Sequence, residues 1–98
     1  MGGWYKVVIT DMYNRGGQIF KAKTLANAVK RGLRECPKSM GWDFHIITPD
    51  NKILRIQHIE PIYGGKRVYL LEVSSYIPSY NIQNIVSPQP IIVDISNR

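Results

Sequence analysis

The sequence predicts an α+β fold in which one helix packs on a mostly antiparallel sheet, in the order ββαβββ with a C-terminal extended segment or strand. Three observations support this: a β-branched and aromatic run near the N-terminus, one apolar stripe at helical spacing, and two turn signals that divide the later chain into hairpins. A length of 98 residues suits one hydrophobic core. We expect a core domain over residues 1–75 and an uncharged extended segment over 76–98.

The first two strands are predicted on either side of a glycine-containing turn. Residues 4–10 (WYKVVIT) carry apolar side chains on both faces, as in a central strand covered on both sides. Residues 14–17 (NRGG) favour a turn, because Gly accepts positive φ and Asn tolerates it. Residues 18–22 (QIFKA) are then predicted to return as the second strand.

The helix is predicted to begin after Thr24, whose hydroxyl can cap the first turn, and to end before Pro37, which lacks a backbone N–H. The face of the helix towards the sheet is predicted to carry one apolar stripe of residues three and four positions apart: Leu25, Ala28, Val29, Gly32, Leu33 and Cys36. The opposite face is expected to be basic.

A first hairpin is predicted over residues 43–60, with its turn at Pro49-Asp50-Asn51 and Asn51 in the left-handed conformation. Thr48 is then expected opposite Lys52. The same register would pair Ile46 with Leu54, Phe44 with Ile56, and Trp42 with His58.

A second hairpin is predicted to turn at Gly64-Gly65, as the two positive-φ positions of a type I′ turn. This register would place Leu71 near His58 and Val73 near Ile56. Residues 63–67 (YGGKR) also combine glycine amides with two cations, a combination that favours the binding of anions. The segment leads into a strand rather than a helix, so a plain turn is the preferred interpretation.

No pattern in the sequence indicates a catalytic, cofactor or metal site. His45 and His58 are predicted on opposite faces of their hairpin, with His58 half-buried and hydrogen-bonded. Cys36 lies on the apolar stripe and lacks a Cys-x-x-Cys partner. Glu60 shares a strand face with His58, but no motif surrounds them. We therefore predict a non-enzymatic protein without metal or cofactor.

The charge pattern favours a polyanionic partner. Thirteen Lys and Arg against seven Asp and Glu give a net charge of +6. A stretch of eighteen residues contains one acid, Glu35, whereas a merely solvated helix face usually mixes Glu with Lys. We predict association with DNA or RNA without sequence specificity, since no reading motif is present. The predicted binding residues are Lys21, Lys23, Lys30, Arg31, Arg34 and Lys38.

The chain runs without a charge between Glu72 and Asp94, yet this segment is too apolar for disorder. Its prolines disfavour a helix, and residues 91–95 (IIVDI) favour a strand. We expect an ordered, mostly buried segment that either wraps its own domain or exchanges with a second subunit in a homodimer. The alternative function is therefore a homo-oligomeric interaction or structural module without a nucleic-acid role. The predicted interaction residues are Tyr76, Ile77, Tyr80, Ile82, Ile85, Ile91 and Val93.

The remaining composition points to a soluble intracellular protein. One cysteine excludes an intramolecular disulfide, no signal-peptide pattern is visible, and no apolar run reaches the ~20 residues of a membrane span. Frequent Ile and Tyr, the lone Cys and the small basic domain resemble the orphan proteins encoded by viruses of hyperthermophilic archaea. That resemblance implies the host cytoplasm and a homodimer, and it identifies no site residue.

Overall fold

The computed structural model describes residues 3–11, 17–74 and 85–97. These ranges form one helix and one six-stranded sheet in which all neighbouring strands are antiparallel, so the α+β prediction is confirmed. The strand order in the sheet is β2-β1-β3-β4-β5-β6. The elements are β1 (Tyr5–Asp11), β2 (Ile19–Ala22), α1 (Leu25–Glu35), β3 (Trp42–Ile47), β4 (Ile53–Ile62), β5 (Gly65–Val73) and β6 (Ile91–Ser96).

Strand β1 lies between β2 and β3, as its two-sided apolar pattern predicted. Val7 and Ile9 join the buried cluster that contains Ala28 and Val29 of α1. Thr10, which alternates with them along the strand, is buried as well. Most of the turn predicted at 14–17 lies outside the described residues.

Helix α1 begins and ends where its capping residues predicted. The Thr24 hydroxyl accepts a hydrogen bond from the Asn27 N–H at 3.1 Å, and the extended Cys36 donates its N–H to the Gly32 carbonyl at 2.9 Å. Gly32 lies against β3 so closely that an added Cβ would be 2.2 Å from the Phe44 ring. No helix in the described ranges is long and apolar enough to cross a membrane.

The β3–β4 turn has the predicted geometry. Asn51 adopts a φ of 66°, and the Thr48 N–H donates to the Lys52 carbonyl at 2.9 Å. The predicted pairing of Ile46 with Leu54 is also present. The conformation of this turn is therefore determined by its own residues.

The β3–β4 pairing follows the predicted register next to the turn but ends sooner than predicted, so the expected pairs Phe44–Ile56 and Trp42–His58 are absent. Among the described residues, the two strands pair only at Ile46 with Leu54 and at Ile47 with Ile53. The strands then diverge, and Trp42 is not paired with His58. Both side chains are exposed rather than buried together.

The β4–β5 hairpin turns one residue earlier than predicted, at Tyr63-Gly64, because Ile62 pairs with Gly65. Of the two glycines, only Gly64 has a positive φ, at 78°. Gly65 is required for a different reason: an added Cβ would lie 1.9 Å from the Ile95 carbonyl oxygen of β6.

The earlier turn and an irregularity between Ile56 and His58 change the pairing along the whole β4–β5 hairpin. His58 pairs with Tyr69 rather than Leu71. Val73 pairs with Ile53 rather than with Ile56. Both predicted neighbours were therefore wrong.

The sheet curves around α1. The helix contacts β1 and β3, and it also contacts β2 and β6, which are the two edge strands of the sheet. A flat sheet of six strands would be too wide for one helix to reach both edges, since strands are spaced about 4.8 Å apart. The divergence of β3 from β4 accompanies this curvature.

The C-terminal segment contributes β6, which pairs with β5 of the same chain from Leu70–Ile91 to Gly65–Ser96. The predicted strand is therefore confirmed. Burial of this segment against its own domain is only partial, because in the described part of the chain β6 pairs with a neighbouring strand on one side only. Val93 is half-buried and Ile95 is 7% exposed, but the remaining large apolar residues are exposed: Ile85, Val86, Ile91 and Ile92. Tyr76, Ile77, Tyr80 and Ile82 lie outside the described residues.

Candidate nucleic-acid interface

Two clefts flank α1, one on each side. The first, which we call the β2 cleft, has a volume of about 390 Å³ and is lined by Trp4, Lys21, Ala22, Lys23, Asn27, Lys30, Arg31 and Arg34. The second, the β6 cleft, has a volume of about 380 Å³ and is lined by Lys30, Leu33, Arg34, Lys38, Lys66, Ile95, Ser96 and Asn97. The clefts exist because the helix lies between the two edge strands of the curved sheet.

Lys30 and Arg34 line both clefts and so join them into one surface. All six bases predicted from the sequence line one cleft or the other. Lys66 was missed, although the segment 63–67 had indicated an anion-friendly turn. It lies in β5, pairs with Ile95 of β6 and lines the β6 cleft. We call these cations the basic surface: Lys21, Lys23, Lys30, Arg31, Arg34, Lys38 and Lys66.

Glu35 contacts two of these cations. Its Oε2 lies 3.3 Å from Arg31 Nε and 3.3 Å from Arg34 Nε. The Arg31 guanidinium also stacks on the Phe20 ring, 4.3 Å from its centroid, so this side chain is held close to the protein. Arg34 remains 69% exposed and can still reach a ligand.

Lys38 contributes to the end of the helix. Its Nζ donates to the Leu33 carbonyl at 3.2 Å, which satisfies one of the last backbone acceptors of α1. The side chain is nevertheless exposed. Lys21, Lys23 and Lys66 are exposed as well, so most of the basic surface faces solvent.

Among the described residues that line the two clefts, Trp4 is the one with an aromatic side chain. It precedes β1, is 46% exposed, and has the Lys23 Nζ 5.6 Å from its ring centroid. Sequence reasoning missed it because Trp4 was included in the first strand. Its neighbours Lys21 and Lys23 are about twenty positions away, so the sequence contained no local signal.

The prediction that His58 is half-buried is wrong, because His58 is exposed and His45 is the buried histidine. His45 is only 7% exposed, and burial lowers its pKa to about 4; Asp43 opposes this shift and Arg55 adds to it. His58 is exposed, with its ring centroid 5.6 Å from that of Tyr69. The imidazole of His45 is therefore neutral at pH 7.

Cys36 and Tyr69 both have pKa values raised above their ordinary values. Burial and the Asp43 carboxylate raise the pKa of the half-buried Cys36 thiol, against a smaller opposing effect of Lys38, so the thiol stays protonated. The Tyr69 hydroxyl donates to Glu60 at 2.6 Å, which raises the pKa of Tyr69. Within the described ranges, no three His, Cys, Asp or Glu side chains gather as a metal site.

Comparison with known proteins identifies no family. No family model matches the chain, and neither curated proteins nor solved structures give a significant match. The function is therefore inferred from the surface chemistry.

Proposed function

We propose that the protein is a small, non-enzymatic nucleic-acid-associated protein that contacts phosphates through the basic surface without reading sequence. The supporting observation is that Lys30 and Arg34 join two clefts into one surface with seven cations. Among the described residues, the acid that forms ion pairs with these cations is Glu35, which contacts Arg31 and Arg34. The host cytoplasm and viral origin implied by the compositional resemblance belong to the same proposal.

Phosphate contacts explain how such a surface would act. Each Lys or Arg that neutralises a phosphate releases condensed counterions, so affinity falls as salt rises, with a slope of about 0.7 to 0.9 per contact. Lysines act as point charges and carry little base information. We therefore expect binding that tolerates any sequence and weakens steeply with salt.

The test compares two double variants that lose the same charge. Lys30→Ala with Arg34→Ala removes the two residues shared by both clefts, whereas Lys6→Ala with Lys52→Ala removes two exposed cations that line neither cleft. Affinity for random-sequence duplex and single-stranded DNA is measured by fluorescence anisotropy over a salt series.

We expect the Lys30 and Arg34 variant to bind more weakly and to lose about 1.4 to 1.8 units of salt slope, while the control loses less. Equal losses in both variants would mean that only net charge matters. No binding at low salt by the unaltered protein would contradict the proposed function.

A second candidate function, homo-oligomeric assembly, is favoured by the edge of the sheet. In the part of the chain that the structure describes, β6 pairs with a neighbouring strand on one side only, and Ile91 and Ile92 of β6 are 38% and 53% exposed. Exposed apolar edges are a ready template for pairing with another chain. Sedimentation at increasing concentration tests this, with Ile92→Lys as the disrupting variant. A monomer at every concentration would contradict assembly and leave the nucleic-acid proposal intact.

A further inference from the structure

Trp4 places an accessible aromatic ring inside a cluster of cations. The ring is 46% exposed, and it lines the β2 cleft together with Lys21, Lys23 and Lys30. The adjacent Tyr5, in contrast, packs against the buried cluster. Trp4 is not part of that cluster, so its ring is available to a ligand in the cleft.

We infer that the β2 cleft binds single-stranded nucleic acid, with one base stacked on Trp4 and the neighbouring phosphates held by Lys21, Lys23 and Lys30. This inference rests on the proposed function and specifies its ligand. Cations that follow the backbone and an aromatic side chain that stacks a base are the two components of sequence-tolerant single-strand binding. The β2 cleft has a volume of about 390 Å³, within the range of small-molecule pockets, so it can accommodate one nucleotide.

Lys23 does not prevent stacking. Its ammonium lies 5.6 Å from the centroid of the Trp4 ring, a cation–π contact. At an exposed site such a contact is worth about two- to fivefold in an equilibrium constant, whereas stacking a base on an aromatic ring is worth about five- to 150-fold. A base therefore displaces the ammonium from the ring, and the flexible lysine stem can then reach a phosphate.

Duplex DNA cannot use the ring in this way. Its bases are already stacked on each other, and exposing one costs unstacking and unpairing. A duplex would contact the basic surface through phosphates alone. The structure therefore favours a single strand over a duplex by the contribution of Trp4.

The experiment uses the full chain with Trp42→Phe, which leaves Trp4 as the sole tryptophan. Trp42 lies at the start of β3 and lines neither cleft. Tryptophan fluorescence is titrated with a homothymidine oligonucleotide and with its duplex. We expect quenching of Trp4 by the single strand and little change with the duplex.

Affinities of further variants complete the test, measured by anisotropy of the labelled oligonucleotides so that Trp4 can be removed. Trp4→Ala should weaken single-strand binding about five- to 150-fold and leave duplex binding unchanged, and Trp4→Phe should retain part of the lost affinity. Thermal melting of each variant shows whether it is folded. Because Trp4→Phe keeps a ring, it tests stacking even if the Ala variant is unstable.

The outcomes separate this inference from the proposed function. If neither nucleic acid binds, the proposed function fails and the inference fails with it. If both bind and Trp4→Ala changes neither, the proposed function stands and the stacking site is wrong. An equal loss for single strand and duplex would also overturn the inference, because stacking acts on the single strand alone.

Discussion

Replacing Gly32 by Ala tests how tightly α1 packs on β3. The added Cβ would lie 2.2, 2.4 and 2.6 Å from three carbons of the Phe44 ring. Ordinary contact begins at 3.4 Å, so ring or helix must move by about 1.2 Å. Phe44 is 5% exposed and part of the buried cluster, so its ring cannot swing into solvent.

Two opposing effects determine how much Gly32→Ala changes the free energy of unfolding. Overpacking a core costs about 1 to 3 kcal/mol, whereas Ala in place of Gly stabilises a helix interior by about 1 kcal/mol. We expect packing to win and the free energy of unfolding to fall by about 1 kcal/mol. For a domain of this size that lowers Tm by about 4 to 8 °C.

Urea unfolding of a double-mutant cycle provides the assay. Phe44→Leu removes the ring, so Gly32→Ala should become stabilising in that background and the sign of its effect should reverse. If Gly32→Ala stabilises the otherwise unaltered protein by about 1 kcal/mol, as at an exposed helix position, the close approach of α1 to Phe44 is wrong.

Three further predictions concern pH, the last strand and metals. Burial holds the pKa of His45 near 4, below the ordinary 6.5, so the unfolded chain binds the extra proton between these values. The free energy of unfolding should therefore fall as the pH decreases from 6.5 towards 4, by at most about 1.4 kcal/mol per pH unit, and a His45→Gln variant should show a weaker dependence in urea unfolding. Removing residues 91–98 uncovers β5 and eliminates the buried Ile95. The shortened protein should therefore either aggregate, as detected by light scattering, or show a large decrease in Tm by calorimetry. A soluble product that melts within a few degrees of the full chain would contradict this. Elemental analysis after purification without added metal should find no stoichiometric transition metal, and one equivalent that is lost in a His58→Ala variant would refute that prediction.

Features that depend on neighbouring residues were predictable from the sequence. The ends of α1 follow from Thr24 and Pro37, and the β3–β4 turn follows from Asn51. In each case the determining group is within a few positions of the structure that it sets. The grouping of the six bases along the two clefts was likewise apparent from the sequence, because three of them lie in α1 and Lys38 follows soon after it.

Features that depend on distant residues were not predictable. Both glycines were predicted to form the β4–β5 turn, yet Gly65 lies outside it and is needed because the Ile95 backbone, thirty positions later, leaves no room for a Cβ. Lys66 reaches the basic surface because the sheet curves, and Trp4 joins Lys23 because β1 and β2 are neighbours. The apolar content of β6 predicted a strand correctly, but composition does not indicate that a strand lies at an edge.

The two clefts differ in how far apart their walls are in the chain. The β2 cleft is built from residues 4–34, whereas the β6 cleft brings residues 30–38 together with 66 and 95–97. Both clefts are bounded by an edge strand, and edge strands exchange their amide hydrogens through local opening, but closing the longer loop of the β6 cleft costs more chain entropy. The β6 cleft should therefore open more readily than the β2 cleft. A nucleic acid that spans both clefts would slow amide exchange in β6 most, because it binds only when that strand is in place.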